Sequence, residues 1–146
     1  MTEPARKEEV RELTPEELAT RIAEIASDKL AHDVRVFDLR EIVSYTDFFV
    51  ICSGGTERQA KAIHDAIYQE LKDVHGRLPR RVEGLTESRW ILMDYLDVVV
   101  HVFTPETREF YRLEALWGDV PRKHHEPGPE DGVPVGAGPA PGADAA

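Results

Sequence analysis

The sequence has few of the residues on which secreted, membrane-spanning and nucleic-acid-binding proteins depend. Cys52 is the only cysteine, so no disulfide can form within the chain, as is typical of a reducing compartment. No apolar run approaches the ~20 residues that a membrane-spanning helix requires. The first residues carry no apolar stretch that would serve as a signal peptide. We therefore expect a cytoplasmic protein with no membrane partner.

Basic residues are also scarce, since 18 Lys and Arg stand against 28 Asp and Glu for a formal net charge of −10. Proteins that hold nucleic acid through phosphates need clustered basic residues, because counterion release supplies much of their affinity. The nearest approach to such a cluster is Arg77, Arg80 and Arg81, with Arg122 and Lys123 further on. This balance argues against direct DNA binding and favours a basic protein as partner.

Both ends of the chain have the composition of flexible tails. Residues 124–146 are rich in Pro, Gly and Ala and contain no aromatic residue, so they cannot bury enough surface to offset the entropy of ordering. Residues 1–13 are expected to form a flexible N-terminal segment. We therefore predict one domain over residues 14–123, followed by a disordered tail.

The predicted domain has the element order α-β-β-α-β-β-β-α. Helix starts are indicated by capping boxes at Thr14/Glu17 and Thr56/Gln59 and by Thr104-Pro105-Glu106. The buried helix faces are predicted at Leu18, Ile22, Ile25 and Leu30; at Ala60, Ile63, Ile67, Leu71 and Val74; and at Phe110, Leu113, Leu116 and Trp117. β-branched and aromatic runs predict strands at 34–39, 48–52, 81–83, 90–93 and 98–103. The expected fold class is α/β (α+β), with a mixed sheet of about five strands flanked by helices.

Several residues could carry chemistry, but each has a structural explanation that we favour. The segment Ser53-Gly54-Gly55-Thr56 lacks the Lys of a P-loop and the spacing of a dinucleotide site, so it predicts a turn and helix cap. Asp94 and Asp97 have no third carboxylate at a spacing that would complete a Mg²⁺ site. Cys52 ends a buried strand and predicts a structural thiol. The His124-His125 pair lacks further zinc ligands. We predict no catalytic residues, metal or cofactor.

Trp90 is the strongest candidate for a contact with a partner. It follows the polar stretch Thr86–Arg89 at the start of the last hairpin, where a tryptophan either fills the core or anchors an interface, and the sequence leaves both open. Arg89, Asp94, Tyr95 and Asp97 would give this aromatic centre charged and polar neighbours. His101 alternates with valines, which predicts a packed or interface histidine on the opposite sheet face rather than a general base.

Three segments resemble the signatures of the ribosomal silencing factor (RsfS, Iojap-type) family. They are DFFVICSG (47–54); VEG (82–84) with WILMD (90–94) and DVVVHVF (97–103); and FYRLEALW (110–117). The resemblance covers about residues 15 to 120 in the expected order. It implies a nucleotidyltransferase-like fold without the catalytic carboxylates, because the strand after the glycine turn offers only Glu83 in place of Asp-x-Asp. The resemblance thus implies that the protein is not an enzyme.

The resemblance also implies a function and a partner. Family members bind the large ribosomal subunit through its protein L-fourteen and sterically block joining of the small subunit, which represses translation; they can also form homodimers. Carried over by position, the partner-binding residues are Trp90, Asp94, Tyr95, Asp97 and His101. The alternatives are a factor for large-subunit assembly, or a nucleotidyltransferase-type enzyme that uses the Ser53 turn with Asp94 and Asp97.

This chain departs from the family pattern in the turn of the last hairpin. The family usually has glycine there, whereas this chain has Leu96. A turn that requires positive φ would be strained by leucine, so the geometry of the turn and the direction of Tyr95 stay open at this point.

Overall fold

The computed structural model describes residues 12–117 and the backbone of residues 122–124. The elements are α1 (Pro15–Asp28), β1 (His32–Asp38), β2 (Phe48–Ser53), α2 (Glu57–His75), β3 (Arg81–Glu83), β4 (Trp90–Asp94), β5 (Val98–Phe103), α3 (Pro105–Tyr111), a 3₁₀ helix (Leu113–Trp117) and β6 (Arg122–His124). The predicted order of helices and strands is confirmed. Most of the two predicted tails lies outside the described residues.

The first two helices begin at side-chain caps and pack one apolar face on the sheet. Thr14 Oγ1 accepts from the Glu17 amide at 3.1 Å, and the Glu17 carboxylate accepts from the Thr14 amide at 3.0 Å, which completes the predicted capping box. α2 ends at Gly76, whose φ of 64° is the left-handed conformation that glycine adopts without strain. The buried faces of these helices include Leu18, Ile22 and Ile25 of α1 and Ala60, Ile63, Ile67 and Leu71 of α2.

The structure corrects four details of the helix prediction. Gln59 does not close the second capping box, because its side chain donates to the Lys29 carbonyl instead. Leu30 and Val74 are not core residues; they are 71% and 55% exposed. The last predicted helix is broken at Arg112, which has a φ of 49°, and continues as the 3₁₀ helix. On either side of that break, Phe110 and Leu116 are exposed rather than packed.

The sheet is mixed and has six strands in the order β3-β4-β5-β2-β1-β6. The β2–β5 pair is parallel and the other pairs are antiparallel, so α2 belongs to the crossover that returns the chain to β2. The five predicted strands are present, and β6 is an addition that pairs with β1 at the edge. None of the described helices is long and apolar enough to span a membrane.

The two faces of the sheet have different cover. α1 and α2 cover the first face, where Val50, Cys52, Val98, Val100 and Val102 belong to the main core. The second face carries a smaller cluster and is packed by single residues of the loop after β1 and of the 3₁₀ helix. That cluster comprises Phe37, Leu39, Phe49, Ile51, Val99 and Phe103, with Val43, Trp90, Leu92, Leu113 and Trp117 at its margin. The second face is therefore where side chains reach the surface from the sheet.

Candidate partner-binding surface

Trp90 lies half-buried at the start of β4, at the margin of the second-face cluster. Its ring packs against Phe103 of β5, with centroids 4.9 Å apart, and against Tyr111 of α3 at 4.8 Å. Trp90 pairs with Phe103 and Leu92 pairs with His101, so Trp90 and His101 are diagonal neighbours on one face. The register of the hairpin thus places the predicted tryptophan and histidine together.

His101 fixes the orientation of the indole ring of Trp90. Trp90 Nε1 donates to His101 Nδ1 at 3.0 Å, which requires Nδ1 to be unprotonated and puts the proton of the neutral ring on Nε2. His101 is 4% exposed and stacks between Phe49 and Phe103. Burial lowers the pKa of His101 to about 4, so the imidazole stays neutral near pH 7. The prediction of a packed histidine on this face is confirmed.

An open groove of about 700 Å³ lies beside Trp90 and is lined by three aromatic rings. We call it the aromatic groove and define it by Trp90, Phe110 and Tyr111. Phe110 and Tyr111 are 77% and 54% exposed, and their rings meet edge to face at 4.9 Å. Exposed aromatic rings around a half-buried tryptophan form the kind of centre that dominates binding energy in protein interfaces. Sequence reasoning missed this role of Phe110, because helical spacing alone placed it in the core.

The rim of the aromatic groove is acidic. Glu87 and Glu106 line it together with Arg89. Arg89 is already paired, because its Nε donates to Glu57 at 3.1 Å and this hydrogen bond raises the pKa of the guanidinium. The two glutamates therefore give the rim a negative field that favours a cationic partner.

Asp94 lies at the other end of β4, and its carboxylate makes contacts within the chain. Asp94 is 4% exposed; Oδ2 accepts from Arg80 Nε at 3.1 Å, and Oδ1 accepts from the Leu96 amide at 2.8 Å. A second guanidinium, that of Arg81, lies 3.9 Å from Oδ2. Asp94 thus fixes the start of the hairpin turn and holds arginine side chains at the surface.

The hairpin turn adopts the positive φ that leucine disfavours. Leu96 has a φ of 79°, and the Asp97 amide donates across it to the Tyr95 carbonyl at 2.9 Å, so three residues close the turn. Tyr95 is 2% exposed and belongs to the main core, and burial raises the pKa of its hydroxyl. Asp97 is half-buried, and its carbonyl accepts from Thr46 Oγ1 at 2.9 Å.

The predicted site residues therefore form two groups along β4. Trp90 and His101 lie beside the aromatic groove, and Asp94, Tyr95 and Asp97 form the hairpin end of the sheet. The side chain of Trp90 reaches the surface, whereas those of Asp94, Tyr95 and His101 are buried. Their role as partner-binding residues stays a prediction.

Ser53 is separated from the hairpin carboxylates by the length of a strand. Ser53 pairs with Phe103 at one end of β5, whereas Asp97 precedes Val98 at the other end. Ser53 Oγ accepts from buried Arg108 Nη1 at 2.9 Å. The catalytic set Ser53, Asp94 and Asp97 that the enzyme alternative requires is therefore not brought together. Within residues 12–117, no three His, Cys, Asp or Glu side chains are grouped as metal ligands.

Comparison with known proteins identifies the family. Residues 12–138 match the family described as "Ribosomal silencing factor during starvation" (RsfS). The ribosomal silencing factor RsfS of Bacillus subtilis is 41% identical over 99 residues, which are 68% of this chain and 83% of that protein. A mouse protein named "Mitochondrial assembly of ribosomal large subunit protein 1" is 35% identical over 89 residues, 60% of this chain and 39% of that protein.

The fold agrees with that comparison. A crystal structure of a Chromobacterium violaceum protein superimposes with a TM-score of 0.70 at 31% sequence identity, over 73% of this chain and 88% of that one. The resemblance in the three sequence signatures is thereby confirmed. The chain belongs to the ribosomal silencing factor (RsfS) family.

Proposed function

We propose that this protein represses translation by binding protein L-fourteen of the large ribosomal subunit and blocking the small subunit from joining. Membership of the ribosomal silencing factor family supports a role on the ribosome. The observation that carries the proposal is Trp90, which the chain holds by a hydrogen bond to a buried histidine while its ring lines an open groove. An anchor fixed before binding loses little side-chain entropy on binding.

The proposed mechanism needs no covalent chemistry. A folded body bound where the small subunit docks would exclude it by overlap alone. Repression then depends on the occupancy of the site, and so on the affinity of the chain for the large subunit relative to that of the small subunit. The chain would act as a competitor rather than as a catalyst.

The five predicted residues would contribute to this interface in different ways. Trp90 would contact the partner directly, and half-buried Asp97 would lie at the hairpin end of the contact. Asp94, Tyr95 and His101 are buried, so they would act by holding the hairpin turn and the indole ring in place. A basic partner protein would complement the acidic rim of the aromatic groove and the net charge of −10.

Co-sedimentation of the purified chain with large subunits tests this proposal. Wild type is expected to sediment with the subunits, and Trp90→Ala is expected to lose most of that binding, since truncation of a central tryptophan costs ~2 kcal/mol or more. Leu30→Ala is the control, because Leu30 is 71% exposed at the end of α1, far from the groove. Full binding by Trp90→Ala would show that the anchor has been misassigned.

A role in large-subunit assembly is a second candidate, favoured by the printed name of the mouse relative. Both functions would use the same surface, so the variants above do not separate them. Binding to mature large subunits and to assembly intermediates should be measured side by side. A repressor binds the mature subunit, whereas a dedicated assembly factor binds the intermediates and leaves mature subunits unbound.

A further inference from the structure

A basic cluster lies at the hairpin end of the sheet, away from the aromatic groove. Arg77 Nη2 donates to the Tyr95 carbonyl at 3.1 Å, and Arg80 Nε donates to Asp94 Oδ2 at 3.1 Å. Arg81 Nε lies 3.9 Å from the same carboxylate oxygen. Three guanidinium groups that the sequence spreads over residues 77–81 thus converge on one turn. We call them the arginine cluster.

The arginine cluster has more positive charge than its neighbours neutralise. Arg81 also pairs with Glu83 at 3.2 Å, so three guanidinium groups face the two carboxylates of Asp94 and Glu83. Arg80 and Arg81 have side chains that are 60% and 58% exposed. Lys72, in the last turn of α2, adds an exposed amine that makes no ion pair with any residue in 12–117. One arginine would suffice to neutralise Asp94, so the other cations are available to a ligand.

We propose that the arginine cluster binds phosphate groups of ribosomal RNA when the chain sits on the large subunit, which rests on the function proposed above. Guanidinium groups bind phosphate oxygens in a bidentate geometry, and two of these are more than half exposed. β4 joins the two surfaces, with Trp90 at the groove and Asp94 at the cluster, ~13 Å apart at ~3.3 Å per residue. A partner protein seated at Trp90 would leave its RNA surroundings within reach of the cluster.

The salt dependence of binding to large subunits tests this contact. The double variant Arg77→Gln/Arg81→Gln removes two cations and leaves the Arg80–Asp94 pair intact. The slope of log affinity against log salt is expected to fall by about 1.5, since each phosphate contact contributes ~0.7–0.9. The matched control is Lys29→Gln/Arg58→Gln, which removes two exposed cations near the opposite end of α2 and should leave the slope unchanged. Thermal unfolding of both variants confirms that each is folded.

Binding to isolated protein L-fourteen separates RNA from protein as the ligand of the cluster. The double variant is expected to bind L-fourteen as wild type does, and to lose affinity only for the whole subunit at low salt. An unchanged salt slope, or an equal loss of affinity for isolated L-fourteen, would overturn the proposal while the proposed function stands. Failure of wild type to bind large subunits would overturn the proposed function, and this proposal with it.

Discussion

Replacing His101 with asparagine should remove much of the stability that the protein loses on acidification. His101 Nδ1 accepts the hydrogen bond from Trp90 and so must be unprotonated in the folded state. Asparagine presents an amide oxygen at a similar position and does not titrate. The variant should be less stable than wild type at every pH because it loses ring packing. The informative quantity is therefore the change in the free energy of unfolding with pH, not its value at one pH.

The size of the effect follows from the pKa of His101 in the two states. Burial lowers it from 6.5 in the unfolded chain to about 4 in the folded protein. The unfolded state therefore takes up the proton first as the pH falls. The stability that this group provides is fully present above about pH 6.5 and is lost progressively down to about pH 4. Between pH 7.5 and pH 5 the loss amounts to about 2 kcal/mol, at ~1.4 kcal/mol per pH unit.

Urea unfolding at pH 7.5 and pH 5, followed by tryptophan fluorescence, measures this quantity in both proteins. Carboxylates and the other histidines are common to the two proteins, so their contributions cancel in the difference. Wild type is expected to lose about 2 kcal/mol more than His101→Asn over this range. Equal losses in the two proteins would refute the assignment of His101 as a buried neutral acceptor.

Three further predictions concern single residues. Gly84→Ala should cost ~3 kcal/mol or more of the free energy of unfolding, since φ is +88° and a Cβ would lie 2.0 Å from the Trp90 carbonyl oxygen. Gly55→Ala, where nothing lies within 4 Å of the added Cβ, should change stability in the same urea titrations by less than ~1 kcal/mol. Arg108→Ala should cost ~3–5 kcal/mol in thermal unfolding, because its buried guanidinium pairs with two carboxylates. Cys52 should react with a thiol reagent only after unfolding, since burial raises its pKa to about 12.

Contrary outcomes of these measurements would be equally clear. Equal stabilities of the Gly84 and Gly55 variants would mean that the chain does not approach Trp90 as closely as described. An Arg108→Ala protein as stable as wild type would show that the ion pairs of α3 contribute nothing to the fold. Rapid modification of native Cys52 would mean that the centre of the sheet opens to solvent.

Local sequence signals determined much of this fold. The bounds of β3 and β5 follow from short apolar runs, and Thr14 with Glu17 defines the start of α1. β6 could not be predicted, because residues 122–124 are polar and become a strand only by pairing with β1. The break at Arg112 was also missed, since a residue with positive φ in the middle of an apolar pattern leaves no trace in that pattern.

The candidate surface was only partly accessible to sequence reasoning. Trp90 was found because a tryptophan after a polar segment is unusual at a strand end. The hydrogen bond between Trp90 and His101 depends on the register of β4 against β5, which residue spacing does not define. The burial of Tyr95 depends on the turn that Leu96 adopts, a geometry that the sequence left open.

Subunit joining in vitro tests the central claim most directly. Purified small and large subunits are mixed with the chain, and the fraction of joined ribosomes is read from a sucrose gradient. Wild type should reduce that fraction in proportion to its occupancy of the large subunit, Leu30→Ala should act as wild type does, and Trp90→Ala should not reduce it. Normal joining at concentrations of wild type that saturate the large subunit would contradict the claim that the chain represses translation by steric exclusion.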